Sequence, residues 1–172
     1  MMLTPLWIAI LAPILFMPIV YAIGRRIGKK VSWIALIPLA FSVVTFINFM
    51  PTISLGPIGE YFFWLPELRF GLLLDGLSLP IVLTVAILSA LIVIYSTAYM
   101  EHKVHEEYHE DNKKAYATYY ALYLAYATSM MGVALSTNLF EFYFFFELMI
   151  IPSWALINIY GYGEREKIAL TY

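Results

Sequence analysis

The chain of 172 residues is 62% apolar or aromatic and only 13% charged, with a mean hydropathy of +0.79. It cannot cover a water-soluble core with charge, and reads as an all-α polytopic membrane protein. Ten basic against 12 acidic residues argue against nucleic acid as a partner, and the absence of cysteine excludes disulfides, thiol catalysis, iron–sulfur clusters and Cys-ligated zinc.

Crossing ~30 Å of hydrocarbon takes about 20 apolar residues in a helix. Five stretches of that kind lie between charged segments, near 2–23, 31–50, 77–100, 115–135 and 139–160. The first carries Pro5, Pro13 and Pro18 and no basic N-terminal region, so it reads as a span and not as a cleaved leader. Arg25, Arg26, Lys29 and Lys30 follow it, Lys103, Lys113 and Lys114 lie between spans three and four, and Arg165 and Lys167 come after span five. Only Arg69 falls on the other side. Basic loops stay cytoplasmic, which predicts an N-terminus outside, a cytoplasmic C-terminus and a multi-pass protein of the cell membrane in contact with the lipid bilayer.

The segment from Pro51 to Gly76 is rich in proline and glycine and reads as loop or short strand on the outer face. Its Tyr61-Phe62-Phe63-Trp64 run reads as an interfacial aromatic anchor. Asp75 precedes span three, with Pro80 in the first turn, and is expected to cap that helix. Between spans three and four, His102, His105 and His109 recur at i, i+3 and i+7 near Glu106. Three imidazoles so spaced can hold zinc or nickel, but Glu101, Glu107, Glu110, Asp111 and the lysines of the same stretch make a solvated connector the preferred reading.

On span four, Tyr116, Tyr119, Tyr123, Tyr126 and Met130 recur at three- and four-residue steps. This stripe can line a polar path through Tyr119, Tyr123 and Tyr126, although packing against neighbouring helices is the simpler account. Asn138 and Glu141 open span five with the spacing of a capping box, so both are assigned to capping. Glu147 is the one acid deep in a span, about 12 Å from Leu139 at 1.5 Å per residue. A charge at that depth costs roughly 2.5–3.5 kcal/mol and usually faces a bundle interior or a wet cavity, where a carboxyl poised between its two protonation states can relay protons. Pro152, five residues on, deprives the Leu148 carbonyl of its intrahelical donor and is expected to kink the helix beside the acid. No Lys or Arg falls inside the five predicted spans, so a cationic partner for Glu147 must come from outside them. After Gly161-Tyr162-Gly163, the last residues read as a sixth helix just beginning.

Two stretches carry a resemblance to a known family. Phe70-Gly71-Leu72-Leu73-Leu74-Asp75-Gly76-Leu77-Ser78-Leu79-Pro80 and Asn138-Leu139-Phe140-Glu141-Phe142-Tyr143-Phe144-Phe145-Phe146-Glu147-Leu148-Met149-Ile150-Ile151-Pro152 resemble the antiporter-like membrane subunits shared by respiratory complex I, Mrp-type Na⁺/H⁺ antiporters and membrane-bound hydrogenases or related respiratory complexes. The match covers roughly the N-terminal third of a family member. The resemblance implies a membrane subunit of a multi-subunit proton- or Na⁺/H⁺-translocating complex, without a cofactor, a redox centre or a hydrolytic centre of its own. It also implies that Glu147 tunes the protonation of a buried lysine; none of the family's intramembrane lysines occurs in this sequence, so a neighbouring membrane subunit is expected to supply one. A non-transporting scaffold that packs in or seals the membrane arm is the alternative.

Overall fold

The computed structural model describes residues 5–63, 69–108 and 112–171. Among these, α1 (Pro5–Ile27) and α2 (Val31–Ile53) are joined by a 3-10 turn at Gly28–Lys30. Gly28 takes φ +66° there, a backbone region that glycine enters without steric cost, so the chain reverses within three residues. A hairpin follows, β1 (Ile58–Phe63) and β2 (Arg69–Leu74), then α3 (Ser78–Tyr108), α4 (Lys113–Leu135), α5 (Leu139–Tyr160) and the short α6 (Arg165–Thr171). The strands are antiparallel, with Ile58 opposite Leu74 and Phe63 opposite Arg69. The chain is therefore not purely helical, and three spans overrun their expected ends, α1 running on to Ile27. α2 continues through Pro51, and α3 runs two turns beyond Met100, taking Glu101, His102, Lys103, His105 and Glu106 into the helix.

The five long helices pack with α4 in the middle, against α1, α5 and α3, and to a lesser extent α2. Close approach explains the position: a Cβ on Gly24 of α1 would lie 2.9 Å from the Ala117 Cβ of α4, and one on Gly132 of α4 would lie 2.3 Å from the Phe145 ring of α5. One core cluster, at the hairpin end, gathers Leu6, Ile10, Phe46, Leu72, Leu74, Met131 and Phe145. The other, at the opposite, basic end, gathers Val20, Leu39, Val93, Met100, Tyr116, Tyr120, Tyr123 and Tyr160.

Prolines within the helices leave carbonyls without their usual N–H donors. Pro13 does so to Ala9, and the hydroxyl of Ser42 on α2 donates to that carbonyl at 2.6 Å, so the break in α1 becomes a bond between helices. Large apolar side chains cover the outside: Trp33, Ile37 and Phe41 on α2, Leu88 and Leu91 on α3, Phe144 and Ile151 on α5. Pro5–Ile53, which holds α1 and α2, Ser78–Glu106 and Leu139–Tyr160 are long and apolar enough to cross a membrane; α4 is not among them.

Candidate functional site

Glu147 sits near the middle of α5, and its side chain points away from the bundle. It lies in a shallow groove of about 390 Å³ lined by Phe140, Tyr143, Phe144, Leu148 and Ile151; Phe140, Tyr143, Phe144 and Ile151, at i−7, i−4, i−3 and i+4, share its helix face, and Leu148 forms the edge toward the bundle. It makes no hydrogen bond or ion pair with any described residue. Pro152 is buried and α5 runs through it as continuous helix, while Leu148 packs against the hairpin-end core. The acid is thus at mid-helix depth, on a surface that the described residues leave uncovered.

Among the described residues, Glu141 is the carboxylate that is buried completely, at 0% exposure. Its Oε2 accepts from the Thr137 N–H at 3.1 Å, the Thr137 hydroxyl at 3.2 Å and the Gly71 N–H of β2 at 3.2 Å; Oε1 has no partner among the described residues. In a capping box the acid takes the N–H of the cap residue itself. Here it reaches one residue further back and across to the hairpin, because β2 lies against the α4–α5 turn, where Leu72 bridges to Ser136. Asn138 accepts the Glu141 N–H at 2.9 Å and donates its Nδ2 to the Arg69 carbonyl at 2.8 Å.

The other helix starts at this end are tied down in the same way. Asp75 Oδ1 accepts from the N–H groups of Leu77 at 3.0 Å and Ser78 at 2.7 Å, and the Ser78 hydroxyl accepts the Asp75 N–H at 2.8 Å. The Ser78 N–H, followed by its hydroxyl and the Leu77 N–H, holds the Asp75 carboxyl below its ordinary 3.8. Glu60 of β1 accepts the N–H groups of Leu6 and Trp7 at 3.1 and 3.2 Å, serving the first turn of α1 from 54 residues away in sequence. Composition gives no hint of that role; the signal lay in the unsatisfied N–H groups that every helix start must place somewhere.

The tyrosine stripe faces inward along the seam between α3 and α4. Tyr119 shares a hydrogen bond of 2.9 Å with Ser96, Tyr123 donates to the Ser89 carbonyl at 3.4 Å, and Tyr126 lies 6.3 Å from Tyr123 between ring centroids. His102 pairs with Glu106 at 3.5 Å, both well exposed, and His105 is likewise exposed on α3. His109 lies outside the described residues, and among the described residues no three acids or imidazoles converge on a metal position.

Lys103, expected in a solvated connector, is only 4% exposed. Its Nζ donates to the Gly161 carbonyl at 3.3 Å and stands 3.7 Å from the centroid of Tyr162. Lysine suits the carbonyl end of α5, where the helix dipole is negative. The missed signal is periodic: Ser89, Ser96 and Lys103 recur every seven residues along the buried stripe of α3. Lys103 is no partner for Glu147, since Gly161 is 14 residues from that acid, about 21 Å along α5.

A bundle with an apolar exterior, hydroxyl-lined helix contacts and an acid turned outward at mid-helix defines a polytopic membrane chain whose surface is unfinished on one side. Its sequence relatives are of that class. The profile described as NADH-ubiquinone oxidoreductase (complex I), chain 5 N-terminus, matches residues 64–109. The Na⁺/H⁺ antiporter A1 subunit of Staphylococcus haemolyticus is 32% identical over 97% of this chain and 20% of its own length. The corresponding antiporter subunit of Alkalihalophilus pseudofirmus is 30% identical over 94% and 18%. A chain in the structure of the membrane-bound sulfane sulfur reductase, an archaeal respiratory membrane complex, superposes with a TM-score of 0.76 over 98% of this chain and 24% of its own, at 16% identity, which shows a shared fold. The protein is a homologue of the antiporter-like membrane subunits of Na⁺/H⁺ antiporters and complex I, and a multi-pass protein of the cell membrane. It spans about a fifth of the length of the curated relatives it matches.

Proposed function

We propose that this chain is a membrane subunit of a multi-subunit proton- or Na⁺/H⁺-translocating complex, crossing the membrane five times with its basic end cytoplasmic, and that the Glu147 face of α5 seats a helix of a neighbouring subunit. The outward position of Glu147 carries the reading. An ionisable group at mid-helix depth is costly against lipid, and the groove around it is apolar on every side, so the group needs a cover with a polar or cationic atom. A lysine about 4 Å from the carboxylate at an effective dielectric near 20 contributes roughly 4 kcal/mol, close to three pKa units, the same order as the desolvation it opposes. The acid then gains or loses its proton as the partner's charge changes, which is the elementary step of a relay.

The test is coupled ion translocation in membrane vesicles containing the assembled complex. Glu147→Gln keeps shape and removes charge, and is expected to lower translocation at least about tenfold, since the interaction removed is worth roughly 4 kcal/mol. A well-assembled Glu147→Gln complex that translocates at the normal rate installs the second reading, a scaffold in which the neutral acid only glues helices together. A photo-crosslinker at Ile151, 66% exposed on the same face, is expected to capture a membrane subunit, whereas one at Leu91 of α3 is expected to capture only lipid.

A further inference from the structure

The buried stripe of α3 consists of Val82, Ala86, Ser89, Val93, Ser96, Met100 and Lys103, each at most 4% exposed. Three of these are polar, and they lie seven residues apart, about 10 Å per step and 21 Å in all. Opposite them α4 places Tyr119 and Tyr123, whose rings stack at 6.3 Å and 12°. The hydroxyls form a column: Tyr119 with Ser96 at 2.9 Å, and Tyr123 on the Ser89 carbonyl at 3.4 Å. At the basic end Lys103 lies under the Tyr162 ring, which is 57% exposed and meets Tyr99 edge-on at 6.4 Å. At the inner end, the Ser89 hydroxyl is 1% exposed as a residue and has no partner among the described residues. A buried hydroxyl without a protein partner is costly and is ordinarily satisfied by water.

We infer that the α3–α4 seam is a water-bearing polar track that admits protons from the basic end, past Lys103 and Tyr162, as far as Ser89. Tyr162 is its lid and Lys103 its mouth. At each step a hydroxyl or water accepts one proton on its oxygen and releases another from the far side, so nothing is oxidised and no co-reactant is needed. The track belongs to this chain alone and does not depend on the role given to Glu147.

Because the chain has no cysteine, a single introduced thiol reports on its own surroundings. Ser96→Cys and Ser89→Cys are near-isosteric and preserve the packing; Leu91→Cys faces outward from α3, and Lys30→Cys marks the basic side. Full-length variants in membrane vesicles are exposed to a small charged methanethiosulfonate reagent from either side. The thiolate is the reacting form, and each unit by which a dry site raises the thiol pKa cuts its population about tenfold. Both seam thiols are therefore expected to react at least about tenfold faster than Leu91→Cys, from the Lys30→Cys side only, and faster again with Tyr162→Ala. Seam thiols as inert as Leu91→Cys overturn the inference, as does access from the hairpin side or a reactive Ser96→Cys beside an inert Ser89→Cys. Proton carriage is read separately, in an arm that does rest on the proposed function. Ser89→Val with Ser96→Val is expected to lower translocation by the assembled complex, and an unchanged rate together with reactive seam thiols refutes the proton role while leaving the Glu147 reading untouched.

Discussion

Three carboxylates at the hairpin end, Glu60, Asp75 and Glu141, do the same job with different partners. Asp75 serves its own helix, with the Ser78 N–H as the strongest hold on its charge. Its folded pKa is lowered, so the stability it contributes is present above its ordinary 3.8 and is lost as pH falls through the folded value. Asp75→Asn keeps an acceptor but no charge. In detergent, the wild type is expected to melt above Asp75→Asn near neutral pH, and the gap is expected to close below pH 3.8; a gap that persists into acid means the charge is not what caps α3. Glu141 is different because it is buried and serves two elements. Glu141→Ala strands the N–H groups of Gly71 and Thr137, and each such group costs roughly 1–3 kcal/mol, whereas Glu141→Gln retains an oxygen acceptor and is expected to cost less. The melting temperatures of the two variants check that order. The capping roles of Asp75, Asn138 and Glu141 are local patterns, an acceptor followed by open N–H groups, and that kind of pattern is readable along a chain. Glu60 is not readable in this way, because the helix start that it serves lies 54 residues upstream.

Among elements, the contacts of α4 depend on the absence of two side chains. Ala117 beside Gly24 cannot move aside, since both its Cβ and its backbone lie within 3.0 Å of an added Cβ. Gly24→Leu is expected to push α1 off α4 and cost on the order of 1–3 kcal/mol, with Gly24→Ala intermediate; thermal unfolding in detergent gives the order. Gly132 meets the ring of Phe145, itself 3% exposed, so Gly132→Val is expected to weaken α4–α5 to a similar degree. By contrast nothing lies within 4 Å of an added Cβ on Gly76, and Gly76→Ala is expected to be tolerated. The sequence shows where the long helices are to within a turn or two, because a 20-residue apolar run has few other uses. It does not show which helix is central, since that follows from which faces meet, and a glycine at a crossing reads like any other glycine. The facing of the two acids on α5 is hidden for the same reason: depth along a helix can be counted, whereas the side it presents depends on the neighbour. Glu141 and Glu147 are six residues apart, about 240° around the helix at 3.6 residues per turn, so seating one of them against the hairpin and the α4–α5 turn points the other away.

Across the whole molecule, composition and position run opposite to their order in a soluble protein. The helices on the outside are the apolar ones, and α4, wrapped on three sides, carries the tyrosines, Ser129 and Thr128 that keep it below the apolarity of the other spans. Lipid demands apolar side chains only where it touches, so the helix that protein surrounds is free to hold hydroxyls, and two of them, on Tyr119 and Tyr123, line the seam with α3. Insertion should then depend on company. A reporter enzyme active only outside the cytoplasm, fused after Ser136 behind the entire preceding chain, is expected to be active, because α4 returns the chain to the hairpin side. The same reporter behind residues 112–136 alone is expected to lose most of that activity, since an isolated α4 offers its tyrosines to lipid without α1, α3 and α5 to cover them. Equal activity in the two fusions would mean that α4 inserts on its own merits, and the link drawn between its burial and its polar lining would not hold. An inactive long fusion would instead place Ser136 on the same side as the basic loops, against five crossings.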